Sequence, residues 1–184
     1  DVIDLGICPT PILQKTVRRM AAGGGLTITA GHNDIQWNAL TFIGSDGASL
    51  NPFQGQEVLD HYHLGNFEKA ATDDLGRLTT PPESAFIEPY FEELQACVDA
   101  AAIRAARFKV VIDACAGAAA PYLERFAETL GFDLIPINNE PNGFFPHDPE
   151  PRPRNAAQTV SVVKAIGAEA GFLLSSDAGR VSLV

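Results

Sequence analysis

The sequence predicts an α/β protein in which both halves are α/β sandwiches. Two patterns carry this. Between residues 109 and 174, apolar strand-like runs alternate with amphipathic helical stretches at the spacing of a doubly wound sheet. The first half repeats the theme more loosely, with apolar runs at 2–7 and 26–30 around a proline-opened helix. The chain has 184 residues, 46% hydrophobic and 20% charged, enough apolar surface for one large or two small cores.

Each element has a local reason. Val2 to Ile7 reads as a short buried strand, ended by Cys8-Pro9-Thr10-Pro11. Thr10 suits an N-cap and Pro11 a first helical position, so a helix is expected from Ile12 to Ala22, with Leu13, Val17 and Met20 on one stripe. Gly23-Gly24-Gly25 is expected to stop it, and Leu26 to Ala30 to form the next strand, which delivers a loop at Gly31. Leu40-Thr41-Phe42-Ile43 and Ala48-Ser49-Leu50 flank the turn Ser45-Asp46-Gly47, a hairpin signal. Asn51-Pro52 opens a helix expected over Gln54 to His63, and Thr72 to Pro82 reads as a loop. A helix from Phe86 to Ala101 carries Phe91, Leu94 and Val98 on one stripe and is expected to bridge the halves.

In the second half, strands are expected at Lys109–Asp113, Leu134–Ile137 and Ala170–Leu174, and helices at Pro121–Leu130 and Ala156–Ile166. Val110 to Ile112 is expected at the centre of the sheet, because parallel strands covered on both faces read as continuous apolar runs. Such folds bind ligands at the carboxyl ends of their strands.

Charge and composition exclude several partners. The net charge is −10, with no cluster of Lys and Arg, so a nucleic-acid partner is not expected. No apolar run approaches the roughly 20 residues of a membrane helix, so no membrane partner is expected either. The opening lacks a basic leader and the three cysteines, Cys8, Cys97 and Cys115, are widely spaced. They read as buried thiols in a reducing, cytoplasmic setting, neither a disulfide framework nor a metal knuckle. Both ends are strand-like without polar tails, which suggests a piece of a longer polypeptide.

Five landmarks carry chemistry. Gly25-Leu26-Thr27-Ile28-Thr29-Ala30-Gly31-His32-Asn33-Asp34, followed by Trp37-Asn38-Ala39-Leu40, resembles the phosphoserine loop of the α-D-phosphohexomutases, Thr-Ala-Ser-His-Asn-Pro and then Asn-Gly-x-Lys. Asp4-Leu5-Gly6-Ile7 with Pro9-Thr10-Pro11 is similar to the strand and turn before that family's first crossover helix. Phe108 to Asp113 with Cys115-Ala116-Gly117 resembles the opening strand and glycine turn of its second domain. Gly143-Phe144-Phe145-Pro146 with Pro149-Glu150-Pro151 resembles its Phe-Pro loop. Ser175-Ser176-Asp177-Ala178-Gly179-Arg180 lies where the family has its metal loop, Asp-x-Asp-x-Asp-Arg.

The resemblance spans essentially the whole chain and implies two three-layer α/β/α domains with mixed sheets. Residues 1–101 correspond to a first domain incomplete at its N-terminus, and 102–184 to a second domain incomplete at its C-terminus. It implies a protein of sugar-phosphate metabolism descended from phosphomannomutases, phosphoglucomutases and phosphoglucosamine mutases. In active members a phosphoserine and one Mg²⁺, held by three Asp carboxylates, pass phosphate to and from a hexose phosphate. The remaining mutase domains are then expected partners.

The departures fall on the chemistry. Gly31 occupies the phosphoserine position and has no hydroxyl to carry a phosphoryl group. Thr41 occupies the lysine position, and Asp34 the loop proline. Ser175 and Gly179 occupy the first and third Asp positions, leaving Asp177 as the only carboxylate, a poor Mg²⁺ set, so no cofactor is expected. His32, Asn33, Asp177 and Arg180 survive. They read either as a residual phosphate-binding corner with Arg180 as the anion partner, or as a shape-holding set in which Arg180 pairs with Asp177. Thr27 and Thr29 are expected to point away from the loop tip by strand alternation.

The expectation is therefore a degenerate mutase-family protein. The alternative is a non-catalytic regulatory or scaffolding module of a larger sugar-nucleotide enzyme, such as a nucleotidyltransferase fusion. Elsewhere, His61 and His63 read as solvated helix histidines, His147-Asp148 as a loop contact, and Asp73-Asp74 and Glu92-Glu93 as solvated pairs.

Overall fold

In the second half, strand β5 (Lys109–Asp113) sits at the centre of a sheet ordered β6-β5-β7-β8, formed with β6 (Asp133–Ile137), β7 (Ala170–Leu174) and β8 (Val181–Leu183). Both β6 and β7 run parallel to β5, and β8 runs antiparallel to β7. The structure is a computed structural model that describes residues 1–29 and 31–184. Alternation along β5 explains its double burial. Val110 and Ile112 pack against Leu123 and Phe126 of helix α5 (Leu123–Leu130), whereas Asp113 on the other face meets Thr159 of helix α6 (Ala157–Ile166). The mixed sheet is thus covered on both faces, as the apolar runs imply.

The first half is α/β with its strands in two separate pairs. Strand β1 (Val2–Ile3) pairs in parallel with β4 (Leu78–Thr79). Strands β2 (Gly24–Ile28) and β3 (Leu40–Gly44) form an antiparallel pair, with Leu26 opposite Phe42 and Thr27 opposite Thr41. Residues of β1 and β2 border one cavity of about 1450 Å³. The buried strand expected over 2–7 shrinks to two exposed residues, Val2 and Ile3. Its physical cause is local: Gly6 takes φ +67° and donates its N–H to Asp4 Oδ1 at 2.9 Å, a turn that ends the strand.

Helix α1 (Thr10–Arg19) begins earlier than proline chemistry suggested, with Pro9 rather than Thr10 at the N-cap. The three glycines do not cap it. Gly24 and Gly25 belong to β2, and a Cβ on Gly25 would lie 2.7 Å from Val17 Cγ2, so glycine there lets the strand press on α1. The hairpin continues only as a bridge from Ile43 to Ser49. Helix α2 (Pro52–Leu64) extends beyond both expected ends because Asn51 and Gln54 form a reciprocal capping box and Gly65 closes the other end at φ +61°.

The expected bridge helix is two helices. Helix α3 (Ser84–Cys97) stops where Val98 turns extended, and Asp99 caps α4 (Ala100–Ala106) by accepting from Ala102 N at 2.9 Å. The bridging role itself is real. Phe86, Ile87 and Phe91 bury with Ile12 of the first half and Tyr122 of the second, and the Tyr122 hydroxyl donates to Ile7 O at 2.8 Å. Among the described residues no helix is long and apolar enough to cross a membrane.

Candidate functional site

The chain leaves β5 for β6 on one side and returns to β7 on the other. Residues of the turns that follow β5 and β7 line one cavity, a crevice at the carboxyl ends of these paired strands. The turn after β5 carries Cys115-Ala116-Gly117, and the turn after β7 carries Ser175 to Arg180. A Cβ on Gly117 would fall 2.2 Å from Ser176 O, so only glycine permits the two turns to touch. Ala118 N donates to that same Ser176 oxygen at 2.7 Å.

The first half supplies two more segments to this point. Ser176 Oγ donates to Gly31 O at 2.7 Å. Thr10, at the start of α1, donates its N–H to Asp177 O at 3.1 Å and its hydroxyl to Asp177 Oδ2 at 3.3 Å. A Cβ on Gly31 would lie 4.0 Å from Asp177 Oδ2. Gly31 and the 175–180 turn, widely separated in sequence, are therefore in contact.

Asp177 is tied into its own turn. Its Oδ1 accepts from Ser175 Oγ at 2.7 Å and from Gly179 N at 3.0 Å, while Oδ2 accepts from Thr10. Ser175 is fully buried and its oxygen accepts from Arg180 N at 3.0 Å. The Arg180 side chain is exposed and makes no ion pair or hydrogen bond among the described residues, so the Asp177–Arg180 pairing does not form. Among those residues no three His, Cys, Asp or Glu side chains gather as a cation site.

The remaining expected residues distribute unevenly. His32 and Asn33 follow Gly31 in the same loop, and His32 is partly buried. Thr41 lies opposite Thr27 within the β2–β3 pair, back along the strand from the loop. Thr29 departs from expectation: its Oγ accepts from Gly31 N at 3.0 Å, because β2 ends at Ile28 and alternation no longer governs residue 29. Ala30 lies outside the described residues. His61 and His63 are exposed on α2. Cys8 and Cys115 are held protonated by burial, which pushes both thiols up to about 12, whereas Cys97 is exposed, contrary to the expectation of three buried thiols.

Sequence reasoning missed one polar centre beside the crevice. Asp113, the last residue of β5, is fully buried. It accepts from Cys115 N at 2.9 Å, Asn138 Nδ2 at 3.0 Å and Thr159 Oγ at 3.2 Å, and faces His147 Nε2 at 3.1 Å. Burial would raise its carboxyl, but hydrogen bonds from His147, Asn138 and Cys115 N outweigh that and hold it below the usual range. The available signal was a carboxylate ending an apolar central strand, a position that demands buried partners.

Two α/β halves, with a loop of the first seated on a turn of the second, define an α/β protein. Comparison with known proteins narrows this. The family model described as phosphoglucomutase/phosphomannomutase, alpha/beta/alpha domain II matches residues 88–184, and that for alpha/beta/alpha domain I matches residues 1–69. The chain is 33% identical to a phosphoglucomutase/phosphomannomutase of Thermococcus kodakarensis, over 100% of this chain and 40% of that protein. It is 34% identical to a probable phosphoglucosamine mutase of Pyrococcus horikoshii, over 100% of this chain and 39% of that protein. The crystal structure of a putative phosphomannomutase from Thermus thermophilus superposes with a TM-score of 0.82 at 29% identity, covering 100% of this chain and 41% of that one. The chain belongs to the phosphoglucomutase/phosphomannomutase family, the phosphohexomutases, and spans about two fifths of the length of the relatives it matches.

Proposed function

We propose that this chain is the first- and second-domain part of a phosphohexomutase-family protein of sugar-phosphate metabolism whose phosphoryl-transfer centre is degenerate. One observation carries the reading: the loop and turn that would transfer the phosphoryl group meet, yet Gly31 offers no hydroxyl and, among the described residues of the 175–180 turn, Asp177 is the only carboxylate. A hard cation such as Mg²⁺ wants several anionic oxygens. Asp177 instead accepts from three protein donors, and Ser175 and Gly179 donate into it rather than adding charge. The residues present do not fit the metal.

What this corner retains is a capacity to bind a phosphate group. His32 follows Gly31 in the loop and Arg180 closes the turn that carries Asp177, with Arg180 exposed. A planar guanidinium matches phosphate oxygens in a bidentate manner. The test is a coupled mutase assay on the full-length protein with hexose monophosphate and hexose bisphosphate activator, alongside equilibrium binding of the monophosphate. Binding without turnover is expected, and turnover well above background overturns the reading.

A further inference from the structure

Asp113 is the only charged side chain among the described residues that is buried in the core. Removing a carboxylate from water costs several kcal/mol unless hydrogen bonds or an opposite charge replace the lost hydration. Three of its neighbours, Cys115 N, Asn138 and Thr159, are neutral donors. The fourth is His147, which arrives on the segment between β6 and α6.

The ring geometry of His147 favours its charged form. Nε2 lies 3.1 Å from Asp113 Oδ2, and Nδ1 lies 2.9 Å from Asp148 O. Both partners are pure acceptors. A neutral imidazole carries one N–H and would set a nitrogen lone pair against one of them, whereas an imidazolium donates to both. The other charged groups nearby are already paired: Asp148 with Arg154, and Glu150 with Arg152. Gln158 and Thr159, presented by α6, are neutral, and the Cys115 thiol is kept protonated by burial. Among the described residues no Lys or Arg pairs with Asp113, so His147 is its counter-charge.

The contact anchors more than itself. Asn138, Cys115 and Ala116 all take left-handed backbone angles, at φ +52°, +52° and +49°, conformations that non-glycine residues hold only under outside constraint. Asp113 pins two of them, through Cys115 N and the Asn138 side chain, and Ala116 N is held by Asn138 O. Gly143 N donates to Ala116 O, and Gly143 and Phe145 line the same cavity as Ser176 and Asp177. We propose that the His147 imidazolium and the Asp113 carboxylate form a protonation-dependent clasp that holds the 138–150 segment in place as one wall of the crevice. Loss of the His147 proton releases that wall. The hydrogen bond from His147 to Asp113 raises the imidazole above its ordinary value of 6.5, against the opposing effect of burial, so the release lies above that value. The proposal is independent of whether the crevice transfers phosphate.

The test uses the full chain and two readouts. The four histidine rings are followed by NMR between about pH 5 and 9, with H147Q assigning the His147 signal. Backbone amide exchange over residues 142–150 is measured across the same range and corrected for the intrinsic pH dependence. His147 is expected to titrate above 6.5, with protection of 142–150 falling by about tenfold or more through that midpoint. In H147Q, which keeps a donor but no charge, the same amides should be weakly protected at every pH. A His147 midpoint at or below 6.5, or wild-type protection that does not change across the midpoint, overturns the clasp. Should H147Q fail to fold, the His147 ring is assigned through its own backbone signals, and the wild-type measurements decide alone.

Discussion

The Ser176 hydroxyl donates across 2.7 Å to the backbone oxygen of Gly31, a contact that spans 145 residues of sequence. It joins the loop of the first half to the turn of the second at the mouth of the crevice. Because it ends on a backbone atom, it requires no particular side chain at position 31.

Ser176→Ala should remove this tie and leave Gly31 O without its protein donor. A loss of about 1 kcal/mol of stability is expected in urea unfolding. Amide exchange near residue 31 should accelerate in step. An unchanged unfolding midpoint would show the contact to be replaceable by water.

Restoring serine at position 31 should not restore a phosphoenzyme. Gly31 sits at φ +62°, and an L-residue there costs about 1–2 kcal/mol. Gly31→Ser is therefore expected to be less stable than the parent, and to take up no label from a labelled hexose bisphosphate as judged by peptide mapping. Stoichiometric label on that serine would show that neither the missing carboxylates nor the missing lysine matters.

Asp177 should behave as a structural group. Asp177→Asn replaces one acceptor oxygen by a donor in a site built of donors, Ser175, Gly179 and Thr10. About 1–3 kcal/mol of stability should be lost. Calorimetric titration of the parent with Mg²⁺ should show no micromolar site, and a micromolar site abolished by Asp177→Asn would contradict the structural role.

Stability should depend on pH with a defined sign. Asp113 is held below its ordinary 3.8, so its contribution is present above that value and is lost as pH falls through the depressed one. His147 is raised above 6.5, so its contribution is fully present below 6.5 and is lost as pH rises through the raised value. The pair therefore stabilises most between the two ordinary values. Asp113→Asn should cost about 1–3 kcal/mol, because it sets an amide N–H₂ among the donors Cys115 N, Asn138 and Thr159, and should flatten the alkaline limb of a stability-versus-pH curve from urea unfolding.

Much of the second sheet was legible in the sequence. Val110-Val111-Ile112 and Ala170 to Leu174 are short apolar runs bounded by turn residues, and that length and punctuation favour a central strand covered on both faces. The helix opening at Asn51-Pro52 was equally local, whereas the capping box with Gln54 and the left-handed stop at Gly65 went unread and left both helix ends short. The motif order placed Gly31 and Asp177 in one site, and comparison with known proteins established the family that this order resembles.

Tertiary structure decided the rest, wherever a residue's role depends on a distant partner. The pairing of Val2 with Leu78 joins segments with no shared periodicity, and two-residue strands leave no pattern to read. Gly25 reads as a helix stop until Val17 is seen against it. His147 reads as one histidine in a proline-rich loop, and Asp113 as the polar end of a strand. Sequence alone determined which segments are apolar enough to be covered and which turns must bend. Only the fold, by closing 34 residues of chain between two titratable groups, made one the counter-charge of the other. Burial is what gives that pair its meaning, and burial belongs to the whole chain.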